Sequence, residues 1–236
     1  MKLHERIRLL RKTHRLLGVI IGVQFLAWTI SGLYFSWSNL DVVHGDPWVK
    51  DTPSPAWGAD GVQFLPTDSA VNSDVRSLES AELLDVLDEP YWWVNDRVLV
   101  SAKTGLTRGQ LSQEEARAIA QNRVVGSPEV SWIERVEETG PHHEFREQAL
   151  PAWAIHWDNP DSVVFYIDAL NGQLVRVRNN DWRLFDALWM FHTMDYASRD
   201  NFNNLLLRAM SVLGLLTVLS GMTLFFSTWR PRGVKK

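Results

Sequence analysis

The sequence contains no cysteine. This absence excludes disulfide bonds, cysteine-ligated iron–sulfur clusters and the thioether attachment of a c-type haem, so any haem would be held non-covalently. No G-x-G-x-x-G motif opens a helix, and no Ser-His-Asp or His-Glu-x-x-His arrangement is visible. We therefore expect that the chain does not collect hydride from NADH itself. We assign no catalytic side chain and no nucleic-acid partner.

Charge is also nearly absent from two long stretches. Residues 16–37 carry no charge, and residues 205–229 carry one, Arg208, near their start. A hydrocarbon core about 30 Å thick needs roughly 20 apolar helical residues, and both stretches supply them. We predict two transmembrane helices. The first is too long for a signal peptide and lacks a small-residue cleavage site, which favours an uncleaved anchor.

The basic residues flank these two helices. They are Lys2, Arg6, Arg8, Arg11, Lys12 and Arg15 before the first helix, and Arg230, Arg232, Lys235 and Lys236 after the second. The positive-inside rule places both flanks in the cytoplasm. The segment between the helices is rich in Asp and Glu and belongs on the other side. We predict a bacterial inner-membrane protein with cytoplasmic termini and a periplasmic central domain.

The expected segments follow from these patterns. They are a cytoplasmic basic tail (1–15), a transmembrane helix (16–37), a linker (38–66), a periplasmic domain (67–178), an interfacial helix and turn (179–204), a transmembrane helix (205–229) and a basic tail (230–236). The linker is rich in Pro, Gly and Asp. The expected fold class is an α+β membrane protein, with helix and antiparallel sheet in the periplasmic domain.

Within that domain, helical and strand patterns alternate. A helical pattern covers 77–87, and strand-like sequence follows over 91–102. A second helix opens at Ser112 with Glu115 three residues later, which is the signature of a capping box. Strands are predicted at 129–137, 144–157, 162–168 and 173–177, the last two joined by an Asn171-Gly172 turn.

Two pieces of the domain look alike. "VLVSAKTGLTRG" (98–109) and "VFYIDALNGQLVRV" (164–177) each predict a strand, a short turn ending in Gly, and a strand, which indicates a degenerate internal repeat. The helix "LSQEEARAIAQ" followed by "FYIDALNGQLVRV" resembles a PepSY domain, whose last strands carry an Asp-x-x-Thr/Asn-Gly turn. The flanking "RKTHRLLGVIIG" and "LWMFHTMDYASRDNFNN" resemble the PepSY-associated transmembrane proteins.

The resemblance covers nearly the whole chain and implies a function. The two-helix members of the family include inner-membrane ferric reductases that support ferrous iron uptake. The resemblance therefore implies haem b as cofactor, ferric iron as substrate and a ferrous iron transporter as a partner. Because no nucleotide-binding motif is present, the electrons are expected from quinol or from a cytoplasmic reductase.

Two histidines are the candidate axial ligands of haem. His14, Gly18 and Gly22 recur in steps of four and share one helix face, where two glycines leave room for a porphyrin. The alternative is a small-residue helix contact with His14 as one more cytoplasmic cation. His192 shares a helical face with Trp189 and other aromatic residues. Its alternative is a packing role in which the ring reaches water.

The two histidines are predicted to lie on opposite membrane surfaces, separated by about 30 Å. One chain then supplies one ligand to each site, so a homodimer is expected, pairing each histidine with its mate. Pairing of His192 with another histidine of the outer domain is the alternative geometry. Arg15 and Arg208 are candidates to hold haem propionates, and ordinary snorkelling at helix ends is their alternative.

A second metal site is considered at residues 142–144. His142, His143 and Glu144 offer imidazole and carboxylate ligands that suit iron, and a solvated loop is the alternative. Two other functions stay open for the whole chain. One is a membrane-anchored PepSY protein that binds peptides or regulates proteases without haem. The other is a structural subunit whose glycines, including Gly214 and Gly221, serve helix packing alone.

Overall fold

The computed structural model describes residues 3–51, 55, 57, 58, 61–66, 78–199 and 201–229. The start of the predicted periplasmic domain (67–77) and the second basic tail (230–236) lie outside the described residues. The chain divides into two compact units. The first, here called the helical unit, comprises residues 1–38 and 185–236, and the sheet unit comprises residues 39–184.

Two long helices dominate the helical unit. Helix α1 spans Leu3–Trp37 and helix α5 spans Leu205–Thr228. By length and composition, both are apolar enough to cross a membrane, which agrees with the two predicted spans. The start of α1 differs from the prediction. The basic residues from Arg6 to Arg15 were predicted as a tail, but they belong to the same helix, which begins at Leu3.

Helices α1 and α5 pack side by side along one seam. On α1 the less exposed residues recur at alternating steps of three and four: His14, Leu17, Ile21, Gln24, Trp28, Ser31 and Phe35. The matching residues of α5 are Leu207, Met210, Gly214, Thr217, Gly221 and Leu224. This heptad spacing is the pattern of two helices that share a narrow seam. Beyond Arg15 of α1 and Arg208 of α5, the exposed faces of both helices are largely apolar.

The sheet unit begins earlier than predicted, inside the stretch that was predicted as a linker. Helix α2 (Leu40–His44) and a 3-10 turn (Asp46–Trp48) follow α1 closely. The side chain of Asn179 donates to the carbonyl of Val42 at 2.7 Å. Gly45 has φ of 90°, and a Cβ there would lie 2.4 Å from a methyl group of Val177. The linker prediction was wrong here because Gly45 and Pro47 shape a packed turn.

Two four-stranded antiparallel sheets form the body of the sheet unit, each with its strands in sequence order. The first consists of β1 (Ala81–Val86), β2 (Glu89–Val94), β3 (Val98–Ser101) and β4 (Thr107–Arg108). Helix α3 (Gln113–Arg123) follows. The second sheet consists of β5 (Val130–Val136), β6 (Ala152–Trp157), β7 (Val164–Asp168) and β8 (Leu174–Arg178). The expected α+β class is confirmed.

Three sequence predictions in this unit were wrong. A helix was predicted at 77–87, but residues 81–86 of this segment form strand β1. The strand pairs with β2, and this pairing buries Leu84 and Val86 on one side. The single strand-like run 91–102 is a hairpin, since Asn95 and Asp96 both take positive φ and turn the chain. The predicted strand 144–157 is regular only from Ala152 onward.

Helix α3 confirms its predicted start and packs on the second sheet. Ser112 accepts from the backbone N–H of Glu115, and the Glu115 carboxylate accepts from the N–H of Ser112. One face of α3 then buries Ala116 and Ala120 against the sheet core around Phe165. Small residues at this face allow the helix backbone to approach the sheet closely.

The predicted repeat appears as two matching turns. Gly105 and Gly172 each donate to the carbonyl four residues earlier, at Ser101 (2.8 Å) and Asp168 (2.9 Å). In both turns that residue's side chain also accepts backbone N–H groups two and three residues later. The next residue, Ala102 or Ala169, is fully buried and donates to a proline carbonyl. Both glycines have positive φ, which explains why each turn ends in Gly.

Candidate functional site

Helix α4 (Asn180–Thr193) presents His192 against α1. The Nδ1 atom of His192 lies 2.8 Å from Oγ of Ser31, which is only 1% exposed. The indole N–H of Trp28 donates to the backbone carbonyl of His192 at 2.8 Å. The rings of Phe35 and Trp189 flank the imidazole at centroid distances of 5.5 and 6.4 Å. Burial lowers the pKa of His192, so the ring is neutral at pH 7.

His14 has a matching arrangement between α1 and α5. Its Nδ1 atom lies 2.8 Å from Oγ of Ser220. The ring packs over Gly221, where an added Cβ would lie 3.0 Å from Cε1 of the imidazole. Two neighbouring residues of α5 therefore position this ring. Ser220 forms a hydrogen bond with it, and Gly221 leaves the space that it occupies. The requirement for Gly221 comes from this contact rather than from its backbone conformation.

The serine hydroxyls bear on which ring nitrogen carries the proton. A hydroxyl has one hydrogen, and the Ser31 hydroxyl lies 2.7 Å from the carbonyl of Ala27. The Ser220 hydroxyl lies 2.8 Å from the carbonyl of Thr217. When each serine donates to that carbonyl, its oxygen accepts from the Nδ1–H of the histidine. Nε2 then keeps its lone pair, which is the tautomer in which a histidine binds a metal.

The Nε2 atoms of these two rings have no hydrogen-bond partner within the part of the chain that the structure describes. They also cannot serve one metal ion. Ser31, which contacts His192, lies seventeen positions after His14 on one continuous helix. At 1.5 Å per residue this is about 26 Å along α1. The chain thus carries two separate imidazole positions, one near each end of the α1–α5 seam.

The glycines and arginines predicted around the histidines lie in open positions. A Cβ added to Gly18 or Gly22 would meet no described heavy atom within 4 Å. The side chain of Arg15 is exposed. Arg208 donates to the side-chain oxygen of Asn203 at 3.3 Å. These residues are open to contact with a ligand, lipid or a second chain.

A tightly bonded turn follows His192 and was missed by the sequence reasoning. The carboxylate of Asp195 accepts from the hydroxyl of Ser198 and from the backbone N–H groups of residues 197, 198 and 201. These hydrogen bonds, the Ser198 hydroxyl first, lower the pKa of Asp195 to about 2. Asp186 pairs with Arg199 across the same turn. The turn holds the end of α4, and with it the His192 backbone.

Two of the residues 142–144 have other partners. Glu144 accepts two hydrogen bonds from Arg183, at 2.5 and 3.0 Å. Nδ1 of His143 accepts from the N–H of Phe145 at 3.0 Å. Among the described residues, no group of three or more His, Asp or Glu side chains is placed to hold a metal ion. The iron site at this loop stays a prediction.

Comparisons with known proteins add no identification. No family model, curated protein or solved structure matches the chain. The PepSY resemblance stays a prediction, and the argument for function depends on the geometry of the two histidines.

Proposed function

We propose that this protein is a membrane-spanning b-type cytochrome that reduces ferric iron, with His14 and His192 as axial haem ligands. The observation that carries the proposal is the pair of His–Ser contacts. Both imidazoles are held at Nδ1 by a serine of a neighbouring helix, and both keep Nε2 available. A histidine that serves only packing does not need the same serine contact near each end of one helix seam.

The exposed faces of α1 and α5 support a membrane location. Side chains such as Val23, Phe25 and Leu215 are at least 60% exposed, and water would make that surface costly. The hydrocarbon core of a lipid bilayer is an environment in which such an apolar surface is stable. The basic flanks favour cytoplasmic termini in a bacterial inner membrane, with the sheet unit in the periplasm.

One imidazole at each position means that a second ligand must come from elsewhere. We infer a homodimer in which each histidine pairs with its mate from the partner chain. The open positions of Gly18 and Gly22 beside His14 allow close approach of a flat ligand or of a second helix. Arg15 and Arg208 are the cations available for propionate groups at the two positions.

The remaining residues of the site position the two ligands. Ser31 and Ser220 orient the imidazoles, and the Asp195 turn holds the end of α4. Haem held by His14 and by His192, each with its mate, would supply one-electron transfer rather than oxygen binding. The electron donor is quinol or a cytoplasmic reductase, and the product Fe(II) passes to a ferrous iron transporter.

The function is tested by following electrons out of the reduced protein. Detergent-purified protein is reduced with a small amount of dithionite, the excess is removed, and ferric citrate is added under argon. The proposal expects the reduced α band to disappear as an Fe(II) chelator develops colour. A haem protein whose α band persists with ferric citrate, but disappears with a quinone, would be a cytochrome with another acceptor.

A further inference from the structure

A cleft runs along the open edge of strand β8 in the sheet unit. Its walls are β8, the turn that follows α2, and Arg123 at the end of α3. Its volume is about 610 Å³, within the range of pockets that bind small molecules. None of the residues discussed above as haem ligands lines it.

The cleft is strongly cationic. Arg123, Arg176 and Arg178 line it together with His44, and Asp46 is the one acidic side chain in its described lining. The protein as a whole is acidic, with a net charge of −4, so this concentration of arginines is local. Burial lowers the pKa of Arg178 to about 10, and the positive charge of Arg176 acts in the same direction. The two guanidinium groups repel each other, and a bound anion would relieve that repulsion.

The arginines are held in place from one side. Arg178 donates to the carbonyls of Glu144 (2.9 Å) and Val177 (3.1 Å), and its guanidinium lies 4.0 Å from the ring centre of Trp182. Arg176 donates to the carbonyl of Val175 at 2.8 Å. These bonds use only part of the donor set of each group. Such anchored guanidinium groups lose little freedom when they bind a ligand.

Arg123 provides a separate indication of a ligand. Its Nε atom is buried and has no hydrogen-bond partner among the residues that the structure describes. A buried N–H without a partner is unfavourable, and buried polar groups are usually satisfied by protein, water or a bound molecule. None of the three arginines pairs with a described carboxylate.

We propose that this cleft binds a small, multiply charged carboxylate anion of the kind that chelates ferric iron. The planar fork of each guanidinium matches a carboxylate in a bidentate pair. Three such groups in one cleft suit an anion with more than one carboxylate. The link to iron rests on the proposed function, since a polycarboxylate chelate would bring Fe(III) to the reductase. The anion site itself does not depend on haem.

Titration calorimetry with citrate tests the anion site on the full-length protein in detergent. Citrate should bind saturably, acetate should bind far more weakly, and 0.5 M salt should weaken citrate binding because the attraction is between charges. Arg176→Gln and Arg123→Gln should each lower citrate affinity by about tenfold. Arg117→Gln is the matched control, because Arg117 is exposed on the same helix as Arg123 but does not line the cleft.

Two outcomes would overturn the assignment. If citrate binds equally well to the Arg176→Gln and Arg117→Gln proteins, the cleft is not the citrate-binding site. The second outcome is that inorganic phosphate or anionic phospholipid vesicles bind more tightly than citrate, with the same dependence on the arginines. The ligand of the cleft would then be a phosphate group rather than a carboxylate. The His14→Ala protein separates the two proposals. It should lose haem signal and still bind citrate. Citrate binding to a wild-type protein that is colourless would retain the cleft and reject the cytochrome.

Discussion

Removal of the serine hydroxyls should weaken haem binding at one position at a time. Ser31→Ala deletes the hydroxyl that contacts Nδ1 of His192, and Ser220→Ala deletes the one that contacts Nδ1 of His14. Ser31 is 1% exposed, so water does not readily replace its oxygen. An unsatisfied buried donor costs about 1–3 kcal/mol. This corresponds to roughly a 5- to 150-fold loss of affinity, similar to the loss when other partners of metal-bound histidines are removed.

The assay reads each position separately. Haem is titrated into haem-depleted protein and followed by its Soret absorption. Ser31→Ala is measured in the His14→Ala background, and Ser220→Ala in the His192→Ala background, so that one position remains in each case. Each change should weaken haem binding in its own background, and neither should weaken it when the two backgrounds are exchanged.

Matched serines on the same helices serve as controls. Ser36 on α1 and Ser211 on α5 donate only to carbonyls of their own helix, at 2.8 Å each. Their replacement by Ala removes a similar hydroxyl without touching an imidazole. If Ser31→Ala and Ser220→Ala change haem affinity no more than Ser36→Ala and Ser211→Ala, the tautomer argument is wrong.

Three further predictions concern packing, pH and local stability. Gly221→Val should displace the His14 ring and lower haem content, whereas Gly214→Val should not, because its Cβ position is open. Asp195→Asn should lower the thermal midpoint at pH 7. This difference should shrink as pH falls from about 3.8 to about 2, since the wild-type carboxylate is protonated over that range. Ser112→Ala should lower the free energy of unfolding of the sheet unit by about 1 kcal/mol through loss of the α3 cap.

Each of these three has a result that would contradict it. Equal haem content in the Gly221→Val and Gly214→Val proteins would remove the packing argument for His14. A stability difference between wild type and Asp195→Asn that persists unchanged at pH 2 would show that the charge is not responsible. A Ser112→Ala protein as stable in urea as Gln113→Ala, which changes a neighbouring residue outside the cap, would contradict the capping role.

The parts of the fold that were predictable are those with strong local signals. The capping box at Ser112 and the Asn171-Gly172 turn depend on residues within a few positions of each other. The two apolar helices depend on length and composition. The sequence around Leu84 did not decide between helix and strand, because short apolar patterns fit both periods. This segment is a strand because Leu84 pairs with Tyr91 in β2, and pairing between strands is not visible in a local sequence pattern.

Only the two histidines of the candidate site could be predicted from the sequence. An ionisable residue in an apolar segment attracts notice from sequence alone. Their partners do not, because Ser31 is 161 positions from His192 and Ser220 is 206 positions from His14. The role of Gly221 was also hidden, since the glycines nearest His14 in sequence are Gly18 and Gly22. The ring instead packs on a glycine of the other helix.

An absorption spectrum of the detergent-purified protein, before and after dithionite, shows whether this protein is a b-type cytochrome. We expect a Soret band with sharp reduced α and β bands, and two haems for each pair of chains. His14→Ala and His192→Ala should each lose part of this signal, and His156→Ala, in the sheet unit, should lose none. A protein that stays colourless when haem is supplied during expression would contradict the cytochrome and favour the haem-free peptide-binding function.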